Sequence, residues 1–262
     1  MTKPPMLLAL TAALSFQSAS LVAQAPAPPP LPAPAASAAV PVPYAVGERL
    51  VYDVKFGPLH VGSGSMEVLG NENVRNRPTW HVVFSVKGGT FFYKVNDHFE
   101  SWIETTTLSS LRHKQDINEG SRDRERVFEI YPDRPSYIED DKPEKPSVTQ
   151  PLDDGSFLYF IRTVPLEVGK TYEFDRYFRP DRNPVKITVL RKERIKVPAG
   201  EFDAIVIRPS IKSKGIFSEN GQAEVWLSDD ERRIMLQMKS KLSFGSLNLY
   251  LKSYRAPPGQ AQ

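Results

Sequence analysis

Four histidines, His60, His81, His98 and His113, stand 21, 17 and 15 residues apart, with no His-x-His or His-Glu-x-x-His pair to put two imidazoles on one face. His81 alternates with Trp80, Val82, Phe84 and Val86 and is expected to point outward, so no metal site is expected. Two carboxylates beside an aromatic ring, Asp97 and Glu100 near Trp102, supply the residue types of a glycosidase, which needs two acids at a set separation and a surface on which a sugar stacks. Acidic residues number 31, however, so such pairs also arise as solvated strand faces. The serines of Gly62-Ser63-Gly64-Ser65 are expected in a turn leading to a strand. They lack the Gly-x-Ser-x-Gly elbow, and no helix start follows those glycines to hold a phosphate. The chain has no cysteine, which removes thiol nucleophiles, disulfides, iron–sulfur clusters and the usual structural zinc sites. No catalytic residue and no cofactor is assigned.

Two further groups carry potential binding chemistry. If Arg122-Asp123-Arg124-Glu125-Arg126 is a strand, period two places its three arginines on one face and its two acids on the other. Such a row is expected to meet a carboxylate row on the neighbouring strand, the alternative being an anionic ligand. The second group is aromatic. Phe91-Phe92-Tyr93 after Gly88-Gly89, and Gly215-Ile216-Phe217, either close hairpin ends or guard the mouth of an apolar cavity.

These residues must be positioned by β structure. Apolar residues recur at every second position in Leu50, Tyr52, Val54 and Phe56, in Val185, Ile187 and Val189, in Val225 and Leu227, in Ile234, Leu236 and Met238, and in Leu247, Leu249 and Leu251. Turn signals separate them, among them Gly57-Pro58, Gly62-Ser63-Gly64, Asn71-Glu72-Asn73, Gly88-Gly89 and Pro198-Ala199-Gly200. The spacing predicts about ten to twelve antiparallel strands. The fold class is therefore mainly β, a meander forming a barrel or strongly curved sheet. One short helix is expected where Asp153-Asp154-Gly155-Ser156 precedes Phe157, Phe160, Ile161 and Val164, with Pro165 as the stop. It should plug a barrel end or cover the sheet. Residues 140–151 read as an exposed loop. Val46-Gly47 before one strand and Val168-Gly169 before another form a faint internal echo.

Ten of the 24 prolines precede Tyr44. Residues 1–25 read as a secretory signal, with Lys3, an apolar run from Met6 to Leu14 and cleavage after Ala23 or Ala25. That run is too short for a good membrane span. Residues 26–43 hold eight prolines and six alanines and are expected to form an extended tether. A single β-rich domain over 44–255 and a flexible tail over 256–262 complete the chain. With 34 Lys+Arg against 31 Asp+Glu, the net charge of +3 gives no case for a nucleic-acid partner. The expected location is periplasmic, without a lipid anchor because there is no lipobox cysteine.

Several segments together carry a resemblance: Val46-Gly47-Glu48-Arg49-Leu50-Val51-Tyr52, Asp153 to Arg162 with Pro165-Leu166-Glu167-Val168-Gly169, Val197-Pro198-Ala199-Gly200-Glu201-Phe202, and Val225-Trp226-Leu227-Ser228-Asp229-Asp230. In this order the chain resembles the exported bacterial domain-of-unknown-function family thirty-one-oh-eight. The resemblance implies a periplasmic or envelope-associated β-rich domain and brings no catalytic residues with it. The leading expectation is a non-enzymatic binder of an apolar or amphiphilic envelope component, such as a lipid, acyl chain or glycolipid. Trp80, Phe84, Phe92, Trp102 and Trp226 are the candidate ligand-binding residues, with Trp80, Phe84 and Trp226 expected to point inward. A carbohydrate-active enzyme using Asp97 and Glu100, and a protein-binding scaffold using a strand edge, are the alternatives.

Overall fold

The alternation of apolar and polar residues becomes one antiparallel sheet. A computed structural model describes residues 38–89, 94–212, 223–242 and 245–259. The expected signal segment, most of the tether, Phe91-Phe92-Tyr93 and Gly215-Ile216-Phe217 lie outside the described residues. The first strands are β1 (Arg49–Phe56), β2 (Leu59–Val74), β3 (Arg77–Gly89), β4 (Lys94–Glu104), β5 (Ser110–Glu119), β6 (Arg122–Tyr131), β7 (Ser136–Glu139) and β8 (Lys145–Pro146). Helix α1 (Asp154–Phe160) follows, then β9 (Thr171–Phe174), β10 (Val185–Val197), β11 (Gly200–Ser210), β12 (Glu224–Ser228), β13 (Met235–Leu242) and β14 (Gly245–Arg255).

Strands β1 to β8 run in chain order to one edge, and β14 back to β9 run in order to the other, with β1 paired to β14 in the middle. Two meanders are thus joined side by side. The edges β8 and β9 do not pair with each other, so the sheet is strongly curved and not a closed barrel. The chain following β8 fills the gap: Leu152 forms a parallel bridge to Tyr177, its N–H donates to the Arg176 carbonyl at 2.5 Å, and its carbonyl accepts from the Phe178 N–H at 2.9 Å.

Register defines the two faces. Val189, Ile207, Val225, Met238, Leu249 and Val54 lie side by side across β10 to β14 and β1, and all are at most 2% exposed. This is the inner, core face. The adjacent residues on each strand, Val206, Trp226, Gln237, Tyr250 and Asp53, with Arg191 beyond the β10 bulge, form the outer face.

The echo between the two meanders is visible in the backbone. Gly47 and Gly169 both take left-handed φ, 91° and 85°, in turns closed by Glu48 N–H to the Ala45 carbonyl and Lys170 N–H to the Glu167 carbonyl. Each glycine N–H then donates at 2.9 Å to a residue beside a bulge, Val68 on β2 and Val189 on β10. The same opening device starts both halves.

Two expected turns prove to be strand interior, and a third forms the end of a strand. Gly62-Ser63-Gly64 and Asn71-Glu72-Asn73 belong to β2, and Gly88-Gly89 belongs to β3. Gly62 faces Gly88 across the ladder, and a Cβ at Gly62 would stand 2.1 Å from the Lys87 carbonyl oxygen. Glycine is required there by close strand approach, which breaks the turn inference. The β2–β3 turn falls instead at Arg75 and Asn76, with φ 50° and 63°.

Helix α1 begins where expected. The Asp153 carboxylate accepts from the N–H groups of Gly155 and Ser156, and the Ser156 hydroxyl accepts from the Asp153 N–H at 2.8 Å, a reciprocal cap. The same carboxylate accepts from the hydroxyls of Ser101 on β4 and Ser110 on β5, tying the helix start to the sheet. Residues 155–160 are all buried, so α1 lies inside the curve of the sheet and not on its surface. Beyond it, the Arg162 guanidinium donates to both Glu48 carboxylate oxygens, at 2.6 and 2.9 Å, with both side chains 1% exposed. Among the described residues, no helix is long and apolar enough to cross a membrane.

Removing one partner of a fully buried pair leaves the other charge uncompensated. Glu48→Leu is therefore expected to lower stability by about 3–5 kcal/mol, and Glu48→Leu with Arg162→Leu to recover part of that loss, read from urea unfolding. A single-variant loss below about 1 kcal/mol would place the pair in the class of solvent-screened bridges.

Candidate functional site

On the inner face of β3 to β6, aromatic rings stack from strand to strand. Phe84 lies 6.2 Å from Phe99, Phe99 lies 6.4 Å from His113, and His113 lies 5.9 Å from Phe128, with interplanar angles of 27°, 9° and 17°. The row ends against Phe178, 5.2 Å from Phe128 on the chain that follows β9. Phe84, Phe99, Gln115 and Arg126 are successive cross-strand partners, so the row has a polar end. Along β4 and β5 this face is unevenly covered. Phe99, Ile117 and Val95 are only half-buried, although inner-face residues on the opposite side of the sheet are sealed.

The polar end is held in place by a hydrogen-bond chain. His113 is fully buried, and its Nδ1 lies 2.9 Å from the Glu100 carbonyl, which can only accept. That fixes Nδ1 as the protonated nitrogen and leaves Nε2 to accept from the Gln115 amide at 2.9 Å. The Gln115 amide also donates to Asp154 at 3.0 Å, and its oxygen accepts from the Arg126 guanidinium. Arg126 sits 5.5 Å from the Phe128 ring centre and Arg179 sits 5.2 Å from it. Burial, together with the positive charges of Arg124 and Arg179, pushes the Arg126 pKa down, while Glu139 and Asp154 oppose that shift. The expected carboxylate row is met at one position of three on the facing strand: Arg122 is opposite Glu119, whereas Arg124 is opposite Ile117 and Arg126 is opposite Gln115.

The candidate residues divide between two faces. Trp80 and Phe84 are on the inner face, Trp80 packed edge-on against Tyr44 at 5.9 Å. Trp226 is on the outer face, contrary to expectation, because Val225 takes the inward position in the register of β12. Its indole N–H donates to Glu193 at 2.6 Å, and Arg191 and Lys239 cover the ring at 5.8 and 5.2 Å. Trp102 is likewise outward, donating to Glu72 at 2.7 Å, stacked on His81 at 4.3 Å and approached by Arg112 at 5.5 Å. Cations and carboxylates let these outward-facing rings be buried. Phe92 lies outside the described residues.

The acids also part. Positions three apart on a strand point to opposite sides, and Asp97 and Glu100 do so. Glu100 accepts from His81 at 2.8 Å on the outer face, where His81 also meets Glu72 at 2.8 Å and His98 binds the Ser85 hydroxyl. Asp97, on the other side, accepts from the Asn118 N–H at 3.1 Å. His60 is exposed beside Asp53. Among the described residues, no three histidine or carboxylate side chains are arranged to hold a metal ion.

Phe99, Phe128 and Arg179 were not singled out by sequence reasoning, and His113 was named only as one of four histidines without metal-ligand spacing. One signal was available: the arginine-bearing face of residues 122–126 continues at period two into Phe128 and Ile130, both fully buried, so that face is the inward one. The neighbours of that face depend on register, which period two alone does not supply.

Asp97 gives the site a pH dependence. Burial, then the negative charge of Glu119, pushes its pKa from 3.8 up to about 6, against the Asn118 hydrogen bond that lowers it. A carboxyl that holds its proton more tightly when folded contributes stability that is complete below about pH 4 and is lost as pH rises through about 6. Asp97→Asn removes that loss. Allowing for solvent screening of a half-exposed group, the variant should be about 1 kcal/mol more stable at pH 8, a rise of about 2–4 °C in Tm, and no more stable than the parent near pH 4. Thermal melts across that range measure it, and a constant difference between the two proteins would contradict the assignment.

The fold is found in a solved structure. A β-barrel-like protein of the DUF1849 domain of unknown function from Brucella abortus superposes with a TM-score of 0.51 at 8% identity, covering 83% of this chain and 100% of its own. A candidate lipoprotein from Parabacteroides distasonis (12% identity, 82% and 98% covered) and a hypothetical protein from Chlamydia trachomatis (8% identity, 81% and 88% covered) both score 0.37, too low to establish a common fold. No curated protein matches the sequence. The model of a protein family of unknown function, DUF3108, matches residues 51–252, and with most of its length inside that match the chain belongs to the DUF3108 family.

Proposed function

We propose that this protein is an exported, periplasmic domain that binds an amphiphilic component of the cell envelope, a lipid, an acyl chain or a glycolipid, along the half-covered strip of its inner face. The observation that carries the reading is the uneven burial of that face. Val95, Phe99 and Ile117 point inward yet stay half-buried, while Val189, Ile207, Val225 and Leu249 on the facing half are fully buried. A largely apolar strip, broken by Asp97 between Val95 and Phe99 and ending in fixed polar groups, suits a ligand with one apolar and one polar part. Covering about 100 Å² of apolar surface would contribute about 2.5 kcal/mol. The signal-like residues 1–25 and the proline-rich spacer support export. The glycosidase alternative loses its basis, because one substrate cannot touch Asp97 and Glu100 through opposite faces of a sheet.

The expected result is a co-purified lipid in native mass spectra of protein from its own host, and uptake of a fluorescent fatty acid. Phe99→Ala should weaken that uptake about tenfold, the loss for a partly covered ring. Finding neither a bound lipid nor fatty-acid uptake would sink the proposal.

A further inference from the structure

We propose that Arg126 and Arg179 form an anion site that holds the head group of the bound amphiphile, a carboxylate or a phosphate. This inference rests on the reading above and names the chemistry at the polar end of the same ligand.

The two guanidinium groups come from separated parts of the chain, β6 and the segment after β9, and share the ring of Phe128. Both side chains are largely buried, 16% and 18% exposed, and the Nε of each is buried without a hydrogen-bond partner. Their nearest shared carboxylate, Glu139, stands 4.0 Å from Arg126 and 3.8 Å from Arg179, beyond hydrogen-bond reach, and is already engaged by Lys142 at 2.8 Å. Arg162, whose Nε is likewise unpartnered, differs in its carboxylate: it makes two short bonds to Glu48. Arg126 and Arg179 have no such partner. Two like charges in a partly dry site repel each other, and an anion with two or more oxygens would accept from both forks and remove that repulsion.

The site is also fixed in advance. Gln115 holds Arg126 and is itself held by His113 and Asp154, so little side-chain freedom is left to lose on binding. Its placement matches a ligand with a tail. Arg126 is opposite Gln115, which is opposite Phe99, and Arg124 is opposite Ile117, so the half-covered strip, in which Asp97 stands between Val95 and Phe99, runs beside the arginine row. A head group between Arg126 and Arg179 directs its chain over Phe99 and Ile117.

Titrating laurate, dodecyl phosphate and dodecanol into the purified protein separates head from tail. An anionic head group should give about tenfold or greater preference over the alcohol, as expected for charge-assisted bonds to two arginines. Whichever of laurate and dodecyl phosphate binds tighter identifies the head group. Arg126→Gln and Arg179→Gln should each make the three affinities converge. Equal binding of all three by the unaltered protein overturns the anion site and leaves the amphiphile reading standing, whereas binding of none overturns that reading. If a glutamine variant does not fold, competition on the unaltered protein decides: inorganic phosphate should weaken laurate binding and leave dodecanol binding untouched, and failure to weaken laurate binding overturns the site.

Discussion

The fold depends on a charge pair with no access to water. Arg162, just past α1, and Glu48, just before β1, are joined by two hydrogen bonds in the interior. Taking both groups out of water costs several kcal/mol each, so the pair persists only where most of its remaining donors are also met, and of the Arg162 guanidinium nitrogens only Nε lacks a partner. The carbonyls of Pro43 and Arg232 accept from Arg162 at 3.2 and 2.9 Å, and the rings of Tyr44 and Tyr159 lie within 6 Å of the guanidinium. One side chain thus ties together the start of the sheet, the chain after the helix and the β12–β13 turn. The helix has to sit inside the sheet for this to happen.

The consequence reaches the other end of α1. With its last turn fixed by Arg162, the helix start is brought to β4 and β5, where Asp153 takes the hydroxyls of Ser101 and Ser110. Asp154 then reaches Gln115 and the Tyr177 hydroxyl, the latter at 2.9 Å. The helix therefore closes the core at one end and orders the polar groups beside the aromatic row at the other. The interior is filled on one half and incompletely covered on the other by the same element.

Much of the architecture was legible in the residues. Period two marked the strands, and Asp153 with Ser156 three positions later marked the helix start, because both signals are local. Long-range pairing was the part that could not be read. Trp226 and Val225 are both large and apolar, and alternation alone does not say which faces the core; Glu193, Arg191 and Lys239, from other strands, decide it by covering the indole. Gly62 and Gly88 looked like turn residues because their role, letting two backbones approach, depends on a partner 26 positions away. The arginine row was correctly placed on one face, but its neighbours Gln115 and Ile117 follow from a register that no local signal fixes. The candidate site was therefore less legible than the fold: it is built almost wholly of cross-strand pairs.

The pairing of β1 with β14 has a kinetic meaning. Leu50 is bonded beside Tyr254, so the first strand waits for the last, across about 200 residues. Contacts of such separation make folding slow, and until they form both meanders carry an open edge in the middle of what will be one sheet. A chain emerging from its N-terminus can assemble β1 to β8 early, but it cannot complete its centre until the final residues arrive. The most vulnerable moment of this molecule is then the interval before β14 docks, when a second, unfinished chain could take its place.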